Sequence, residues 1–192
     1  LPSKASRAKF RRSWRMEPIV ARAWGDGTSS TRLEGLLLSG IASACMDTSD
    51  GVLTTLDQLM RVNSCGFDLD AEVDRMVAPD AIETARTAGI PPWLLLAGQH
   101  GEFELVFTVP DERLECFFRV AELGQWQPLR LGRVVEKPEI SIPLYGQKTV
   151  IDTAWIRNVA ATRMEEIAAY IKELLAYDVM LRRGELNHVN QH

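Results

Sequence analysis

The sequence has few of the residues from which disulfide frameworks and zinc sites are built. Its three cysteines form no CxxC pair and lie far apart in apolar surroundings, and its three histidines are scattered. Small secreted scaffolds and zinc-binding modules need paired or clustered cysteines and histidines. The composition therefore argues against both classes, and we expect Cys45, Cys65 and Cys116 to be reduced and buried.

Long apolar runs are also missing. No segment of the sequence reaches the roughly 18 uninterrupted apolar residues that a membrane-spanning helix requires, and no apolar signal segment is visible at the start. We therefore expect a cytoplasmic protein that does not contact a membrane. The sequence also contains no P-loop, no GxGxxG and no Ser/His/Asp pattern. It therefore offers no motif for a P-loop nucleotide site, a dinucleotide site or a catalytic triad.

The charge balance argues against general nucleic-acid binding, since the net charge is −4. Basic residues nevertheless crowd the start of the chain, where Phe10 and Trp14 lie among them. They are Lys4, Arg7, Lys9, Arg11, Arg12, Arg15 and Arg22. We interpret residues 1–15 as an irregular basic arm, because such runs are more often solvated tails or interface segments than nucleic-acid contacts.

The most informative segment is a short apolar run, residues 41–46, that stops at two carboxylates. Asp47 and Asp50 are separated by a pair of hydroxyl residues that includes Ser49, and a helical pattern begins at Val52. At such a strand-to-helix junction, carboxylates can hold Mg²⁺ against phosphates, and the helix N-terminus attracts anions. Ordinary helix capping is the alternative, because Asp and Ser are among the commonest N-cap residues. The spacing leaves both interpretations open.

Alternating strand and helix patterns predict an α/β sandwich in which a mixed sheet is flanked by helices. Strands are predicted at residues 41–46, 67–70, 103–109, 127–135, 140–142 and 149–151. Helices are predicted at residues 16–24, 33–38, 52–62, 79–89, 91–97, 110–120 and 158–182. The last helix is long, with a predicted apolar face of Ile167, Ile171, Leu174, Leu175 and Val179. It either closes the core of this domain or packs on another subunit of a homo-oligomer.

Several motifs occur in the order found in one enzyme family. Residues 43–52 read SACMDTSDGV and resemble the SAMIDISDGL signature of thiamine-monophosphate kinases, which relatives of aminoimidazole ribonucleotide synthetase share. Residues 64–70 (SCGFDLD) are similar to SGVGAEID, residues 99–110 (QHGEFELVFTVP) to GGEDYELLFTVP, and residues 131–134 (LGRV) to IGRV. Trp155 lies near the position of the aromatic in the family's GWDHF.

This resemblance implies the C-terminal domain of a two-domain enzyme, with the fold of that domain in aminoimidazole ribonucleotide synthetase. In the family, the N-terminal domain carries most magnesium ligands and much of the nucleotide site, and it forms the dimer. We therefore expect the chain to act beside an N-terminal ATP-binding domain, present upstream or as a separate partner. The expected division is a basic arm at 1–15, the family domain at 16–157 and a helical extension at 158–192.

The resemblance also assigns roles to individual residues. Asp47 and Asp50 would hold Mg²⁺ on the phosphates of ATP, and Ser49 and Gly51 would contact the nucleotide. Glu102 would contact the substrate in place of the family aspartate, and Trp155 would match the aromatic that contacts the thiamine phosphate. The expected small-molecule partner is a nucleotide or small phosphorylated metabolite. The implied reaction is phosphoryl transfer onto an existing phosphate, in which positioning and metal neutralisation provide most of the catalysis without a covalent intermediate.

Residues 99–104 depart from the family loop, because both glycines and the first acid are replaced. The resemblance therefore supports the kinase-like fold more directly than it supports thiamine phosphate as the substrate. Glu102 either replaces the family aspartate or is a solvated residue at a strand start, and His100 is interpreted as an incidental loop residue. The alternative function is a non-catalytic homologue that binds a ligand or serves as an assembly module. A third alternative, cyclo-ligase or selenophosphate-type chemistry, has less support. The relatives with those activities carry different residues at the positions of residues 47–51.

Overall fold

The computed structural model describes residues 19–23, 35–98, 104–125, 127–163 and 166–184. The strands in these ranges are β1 (Ile19–Ala23), β2 (Ala44–Asp47), β3 (Gly66–Leu69), β4 (Leu105–Val109), β5 (Leu129–Val135), β6 (Ile140–Leu144) and β7 (Gln147–Ile151). They form one sheet in the order β2-β4-β1-β5-β3-β6-β7. The β3–β6 pair is parallel, and the other neighbouring pairs are antiparallel.

Helices cover both faces of this mixed sheet. They are α1 (Val52–Asn63), α2 (Val73–Met76), α3 (Pro79–Thr87), α4 (Leu114–Leu123), α5 (Thr153–Arg163) and α6 (Ile167–Arg183). A helical turn at residues 35–38 and 3-10 helices at Pro92–Leu96 and Asp111–Arg113 complete the described elements. The predicted fold class, a mixed sheet flanked by helices, is confirmed.

Side-chain alternation along β4 shows how the sheet divides the core into two layers. Val106 belongs to the larger apolar cluster, which includes residues of α1, α5 and α6, whereas Phe107 and Val109 belong to a smaller one with Phe117 of α4. Successive side chains of a strand point to opposite faces, so one buried strand supplies both layers. The larger layer is the one that packs α1 against the sheet.

The prediction of a helix at residues 16–24 is wrong, because residues 19–23 form β1. This strand pairs with β4 on one side, where Ile19 opposes Val109, and with β5 on the other, where Ile19 opposes Arg133. A strand flanked on both sides receives backbone hydrogen bonds along its length. Those partners come from far along the chain, and they outweigh the helical pattern of the local sequence.

The prediction of one long helix at residues 158–182 is also wrong. Two helices occupy the region, because α5 begins earlier, at Thr153, and α6 begins anew at Ile167. The predicted domain boundary between residues 157 and 158 falls within α5. Since α6 joins the larger apolar cluster, the described part of the predicted extension packs on the core of this chain.

The buried face of α6 also differs from the predicted one. Ile167 and Val179 are exposed, whereas the buried residues are Tyr170, Leu174, Tyr177, Asp178 and Leu181. Two tyrosines replace aliphatic residues on the core side because their hydroxyls find partners there, as when Tyr170 donates to the carbonyl of Ala97.

Two further expectations meet the structure here. Cys65 is buried as predicted, but Cys45 and Cys116 are exposed, since they lie on the outer sheet strand β2 and on α4. Among the helices that the structure describes, none combines the length and apolar character needed to cross a membrane. The predicted basic arm at residues 1–15 lies outside the described residues.

Candidate functional site

The candidate site is the turn Asp47–Gly51, which joins the end of β2 to the start of α1. Asp47 is the last residue of β2, one residue beyond the predicted end of the strand. Helix α1 begins at Val52, with Gly51 at its N-cap position. The predicted strand-to-helix junction is therefore present, and its carboxylates lie at the helix N-terminus.

The turn is fixed to the sheet through Thr48, which is fully buried. The Thr48 amide donates to the carbonyl of Glu104 at 2.9 Å, and the Glu104 amide donates back to Thr48 Oγ1 at 3.3 Å. Thr55, one turn into α1, donates its hydroxyl to the Asp47 carbonyl at 3.0 Å. These bonds fix the backbone of the turn against β4 and α1. They thereby fix the positions from which the side chains of the turn extend.

Asp47 and Ser49 form a local pair on the exposed side of the turn. The Ser49 amide donates to Asp47 Oδ1 at 3.1 Å, and the Ser49 hydroxyl donates to the same oxygen. The bonds from Ser49, its hydroxyl first and its amide second, lower the pKa of Asp47. Asp47 is therefore an ionised, exposed carboxylate near neutral pH. Its Oδ2 has no hydrogen-bond partner within the described ranges.

Asp50 lies on the helix side of the turn and is half-buried. Its Oδ2 accepts a hydrogen bond from Gln58 Nε2 of α1 at 3.3 Å. Gly51 occupies the N-cap position of α1. The Asp47 carboxylate instead accepts its hydrogen bonds from Ser49 within the turn. This geometry differs from the capping alternative for Asp47.

Gly51 is required by the backbone of the turn. Its φ of 89° and ψ of 153° lie in a region that is nearly restricted to glycine. A Cβ atom at this position would lie 2.4 Å from the carbonyl oxygen of Gly98. The start of α1 therefore packs directly on the backbone that follows the 3-10 helix Pro92–Leu96. Residues 99–103 lie outside the described residues.

The donor set of the turn is compatible with Mg²⁺ shared with phosphates. Mg²⁺ is usually bound through one or two protein carboxylates together with substrate phosphates and waters. Asp47 supplies an ionised, exposed carboxylate, and the half-buried Asp50 supplies further carboxyl oxygens in the same turn. No group of three or more His, Cys, Asp or Glu with metal-binding geometry exists among the described residues.

Of the other two predicted site residues, the structure describes only Trp155. Trp155 lies in the first turn of α5, where its amide donates to Asp152 Oδ1 at 2.9 Å. Its ring stacks on Tyr177 of α6 with centroids 4.6 Å apart. Glu102 lies outside the described residues, as does His100. The structure thus brings together Asp47, Ser49, Asp50 and Gly51, which the sequence predicted as neighbours.

Sequence reasoning missed a buried polar centre at Asp57 on α1. Its side chain is 2% exposed and accepts hydrogen bonds from Thr153, Arg61 and Arg157. The signal for Arg61 was present, since it lies four residues after Asp57 on the same helix. The partners on α5 could not be inferred, because they lie about a hundred residues away in the sequence.

Comparison with known proteins agrees with the predicted resemblance. The chain is 36% identical over 88 residues to thiamine-monophosphate kinase of Halobacterium salinarum. The matched segment covers 43% of this chain and 27% of that protein. It is 36% identical over 80 residues to the enzyme of Salmonella typhimurium, covering 41% of this chain and 23% of the relative. No family model matches the chain.

Solved structures share the fold at lower identity. HypE of E. coli, a hydrogenase maturation protein, superposes with a TM-score of 0.53 at 20% identity, covering 72% of this chain and 50% of HypE. PurL of T. maritima, solved in complex with ATP, gives a TM-score of 0.51 at 15% identity, covering 74% of this chain and 26% of PurL. The predicted resemblance to thiamine-monophosphate kinases and to this superfamily fold is confirmed. The matches span about a quarter of the two curated relatives.

Proposed function

We propose that this chain supplies part of the metal and phosphate site of an ATP- and Mg²⁺-dependent phosphotransferase resembling thiamine-monophosphate kinase. The observation that carries the proposal is the Asp47–Gly51 turn, where an exposed, ionised carboxylate lies at the N-terminus of a buried helix. The identity of 36% to two thiamine-monophosphate kinases supports the kinase-like assignment. PurL, which shares the fold, binds ATP in its solved complex.

In this proposal, Asp47 and Asp50 hold Mg²⁺ against the phosphates of ATP, and Ser49 and Gly51 contact the nucleotide. The hydrogen bonds from Ser49 keep Asp47 Oδ1 in place, so the carboxylate needs little reorganisation when the metal binds. The bound metal would neutralise phosphate charge during phosphoryl transfer. Glu102 and Trp155 are proposed to contact the phosphorylated acceptor.

We further propose that the turn works beside an N-terminal ATP-binding domain. Two carboxylates leave most of the coordination shell of Mg²⁺ to other ligands, and the described residues offer no third acidic ligand nearby. A domain of the thiamine-monophosphate kinase type, upstream or in a separate chain, would supply the remaining ligands. A homo-oligomer built through that domain fits the same proposal.

A second candidate, a non-catalytic module that binds a nucleotide or phosphorylated metabolite, is favoured by the packing of Trp155. One face of its indole ring is covered by Tyr177, and the residue packs against the larger apolar cluster. A side chain held in this way contributes to the core of the domain. Its availability to a substrate is correspondingly reduced.

Calorimetric titration with AMPPCP and Mg²⁺ tests the metal site. We expect binding by the unmodified chain to be lost in Asp47→Asn and in Asp50→Asn. It should be kept in Asp74→Asn, which removes an exposed carboxylate of α2 as a matched control. Equal binding by all four proteins would contradict the proposal.

Reconstitution separates the two candidate functions. The N-terminal domain of a thiamine-monophosphate kinase is added in trans, and nucleotide binding and ADP formation with thiamine monophosphate are measured. ADP formation that depends on Asp47 and Asp50 supports the enzyme. Binding that depends on these residues, without turnover of thiamine monophosphate or of other phosphate monoesters, supports the non-catalytic module. Absence of nucleotide binding even in the mixture would contradict both candidates.

A further inference from the structure

A pocket lies beside the second half of α1, away from the Asp47–Gly51 turn. It has a volume of about 540 Å³, within the usual size range of small-molecule sites. Its walls are the second half of α1, the β6–β7 hairpin, the start of α5 and the end of α6. We call it the Asp57 pocket, after the buried carboxylate in its wall.

The cluster formed by Asp57 and its two arginine partners carries unequal charges, and the other charged residues of the lining add two charges of each sign: Lys137, Lys148, Glu139 and Asp152. Arg61 Nε donates to Asp57 Oδ2 at 3.0 Å, and Arg157 donates to the same oxygen. One carboxylate therefore faces two guanidinium groups, which leaves a local excess of one positive charge. The Asp57 side chain is 2% exposed, whereas those of Arg61 and Arg157 are 52% and 34% exposed. The excess charge consequently lies at the solvent side of the buried carboxylate.

Both guanidinium groups retain unused donors. A guanidinium carries five N–H groups in a planar fork, and each arginine gives one nitrogen to Asp57. Within the described part of the chain, no other acceptor is recorded for either of them. Paired arginines with spare donors are suited to a phosphate group, which accepts several parallel charge-assisted hydrogen bonds.

Two hydroxyl groups in the same wall lack part of their hydrogen bonding. Thr149 Oγ1 of β7 is buried and has no hydrogen-bond partner in the part of the chain that the structure describes. The Tyr177 hydroxyl accepts a hydrogen bond from the Asp152 amide at 2.7 Å, and no acceptor for its own proton is recorded among the described residues. Burial raises the pKa of Tyr177 to about 12, so this hydroxyl keeps its proton at neutral pH.

We propose that the Asp57 pocket binds a small phosphate-bearing molecule between Arg61 and Arg157, with Thr149 as a further hydrogen-bonding group. A phosphate dianion would compensate the excess charge, accept the spare guanidinium donors and supply the missing partner of the hydroxyl. The site is separate from the Asp47–Gly51 turn and requires neither Mg²⁺ nor ATP. It gives the chain a second ligand site on the same helix, α1.

The test is an NMR titration of the full chain with inorganic phosphate and with glycerol 3-phosphate, at constant ionic strength and without Mg²⁺ or nucleotide. We expect saturable shifts centred on residues of the pocket walls. Arg61→Gln and Arg157→Gln should each weaken phosphate binding by roughly tenfold or more, because each removes charge-assisted hydrogen bonds. Thr149→Val should weaken it by about threefold, the effect of one neutral hydrogen bond.

Controls separate binding from folding. Arg119→Gln removes an exposed arginine paired with Glu115 on α4 and should leave phosphate affinity unchanged. Thr149→Val removes an unpartnered hydroxyl, so a thermal midpoint that does not fall would assign its weaker binding to the lost ligand contact. Absence of saturable shifts at the pocket in the unmodified chain would overturn the proposal. Shifts that persist equally in both arginine variants would overturn it as well, since the phosphate would then lie elsewhere.

Discussion

Asp47 and Asp178 are the same residue type in the sequence and lie in contrasting environments in the structure. Asp47 is exposed at the end of β2, and only one of its oxygens has a recorded partner among the described residues. Asp178 of α6 is 4% exposed at its side chain, and both of its oxygens are engaged. Its Oδ1 accepts from Trp93 and Tyr145, and its Oδ2 accepts from Arg182.

The comparison shows that the burial of a carboxylate decides its role. A carboxylate buried in the core has lost its water, so each of its oxygens needs a hydrogen bond from the protein. The carboxylate then links the secondary-structure elements that supply those bonds. At the end of a strand, the backbone can fix one oxygen while the other faces solvent and any incoming ligand. Asp57 combines both situations, because the carboxylate is buried while its arginine partners reach the surface.

The largest expected effect is the loss of the Asp178 cross-link. In Asp178→Ala, the buried Trp93 N–H loses its recorded acceptor, and α6 loses its link to the 3-10 helix Pro92–Leu96 and to the β6–β7 hairpin. We expect the free energy of unfolding to fall by about 3 kcal/mol, measured by chemical denaturation. Lys172→Ala, an exposed change on the same helix, should cost less than about 0.5 kcal/mol. Equal losses in the two variants would show that the hydrogen bonds of Asp178 contribute no more to stability than an exposed side chain of α6.

The backbone of the turn gives the next largest effect. Gly51→Ala places a Cβ in a nearly glycine-only conformation and 2.4 Å from the Gly98 carbonyl oxygen, so we expect a loss of about 2–3 kcal/mol. Gly89→Ala is the matched control, because its φ is also positive, at 69°, but nothing lies within 4 Å of the added atom. That variant should lose about 1 kcal/mol. Similar losses in thermal or chemical unfolding would show that the close approach is unimportant.

Much of the local structure could be predicted from the sequence. Helix α1 was predicted at residues 52–62 and is found at Val52–Asn63, because its apolar spacing is a local signal. The left-handed residue that ends it is Ser64, whereas Gly66 begins β3. The two strands of the β6–β7 hairpin were predicted at residues 140–142 and 149–151, and Tyr145 and Gly146 lie in the turn between them with φ values of 54° and 77°. Short-range patterns succeed where the neighbours that stabilise an element are close in the chain.

The failures lie where distant partners decide. The strand at residues 19–23 depends on pairing with β4 and β5, and the buried face of α6 depends on partners for its tyrosines. At the candidate site, the junction and its carboxylates were predicted. The contact between Gly51 and Gly98 was not, because the spacing of residues carries no information on the backbone that approaches them.

A smaller, pH-dependent effect is expected at Asp68 of β3, whose side chain is 15% exposed. Burial would raise its pKa, but hydrogen bonds from Lys148, Ser141 and Arg133 together lower it below 3.8. A depressed pKa contributes stability that is present above pH 3.8 and is lost as the pH falls through the folded-state value.

Unfolding free energies measured from neutral to acidic pH test this contribution. Asp68→Asn should cost about 1 kcal/mol near neutral pH, and the difference from the unmodified chain should shrink in acid. Asp70→Asn, which removes an exposed partner of Arg130, serves as the control and should change stability less. A deficit in Asp68→Asn that stays constant with pH would show that packing, and not ionisation, is responsible.

The smallest effect on stability is expected for Asp47→Asn, and it sharpens the comparison most. Asparagine keeps an oxygen that can accept the hydrogen bonds from Ser49, so the turn should lose less than about 0.5 kcal/mol in chemical denaturation. The same substitution removes the charge that the proposed Mg²⁺ site requires. A nearly unchanged unfolding free energy, combined with lost binding of AMPPCP and Mg²⁺, would place Asp47 among the carboxylates that are free for a ligand. A loss approaching that of Asp178→Ala would instead make Asp47 a structural cross-link, because only a group whose partners depend on its charge destabilises the fold so strongly when that charge is removed.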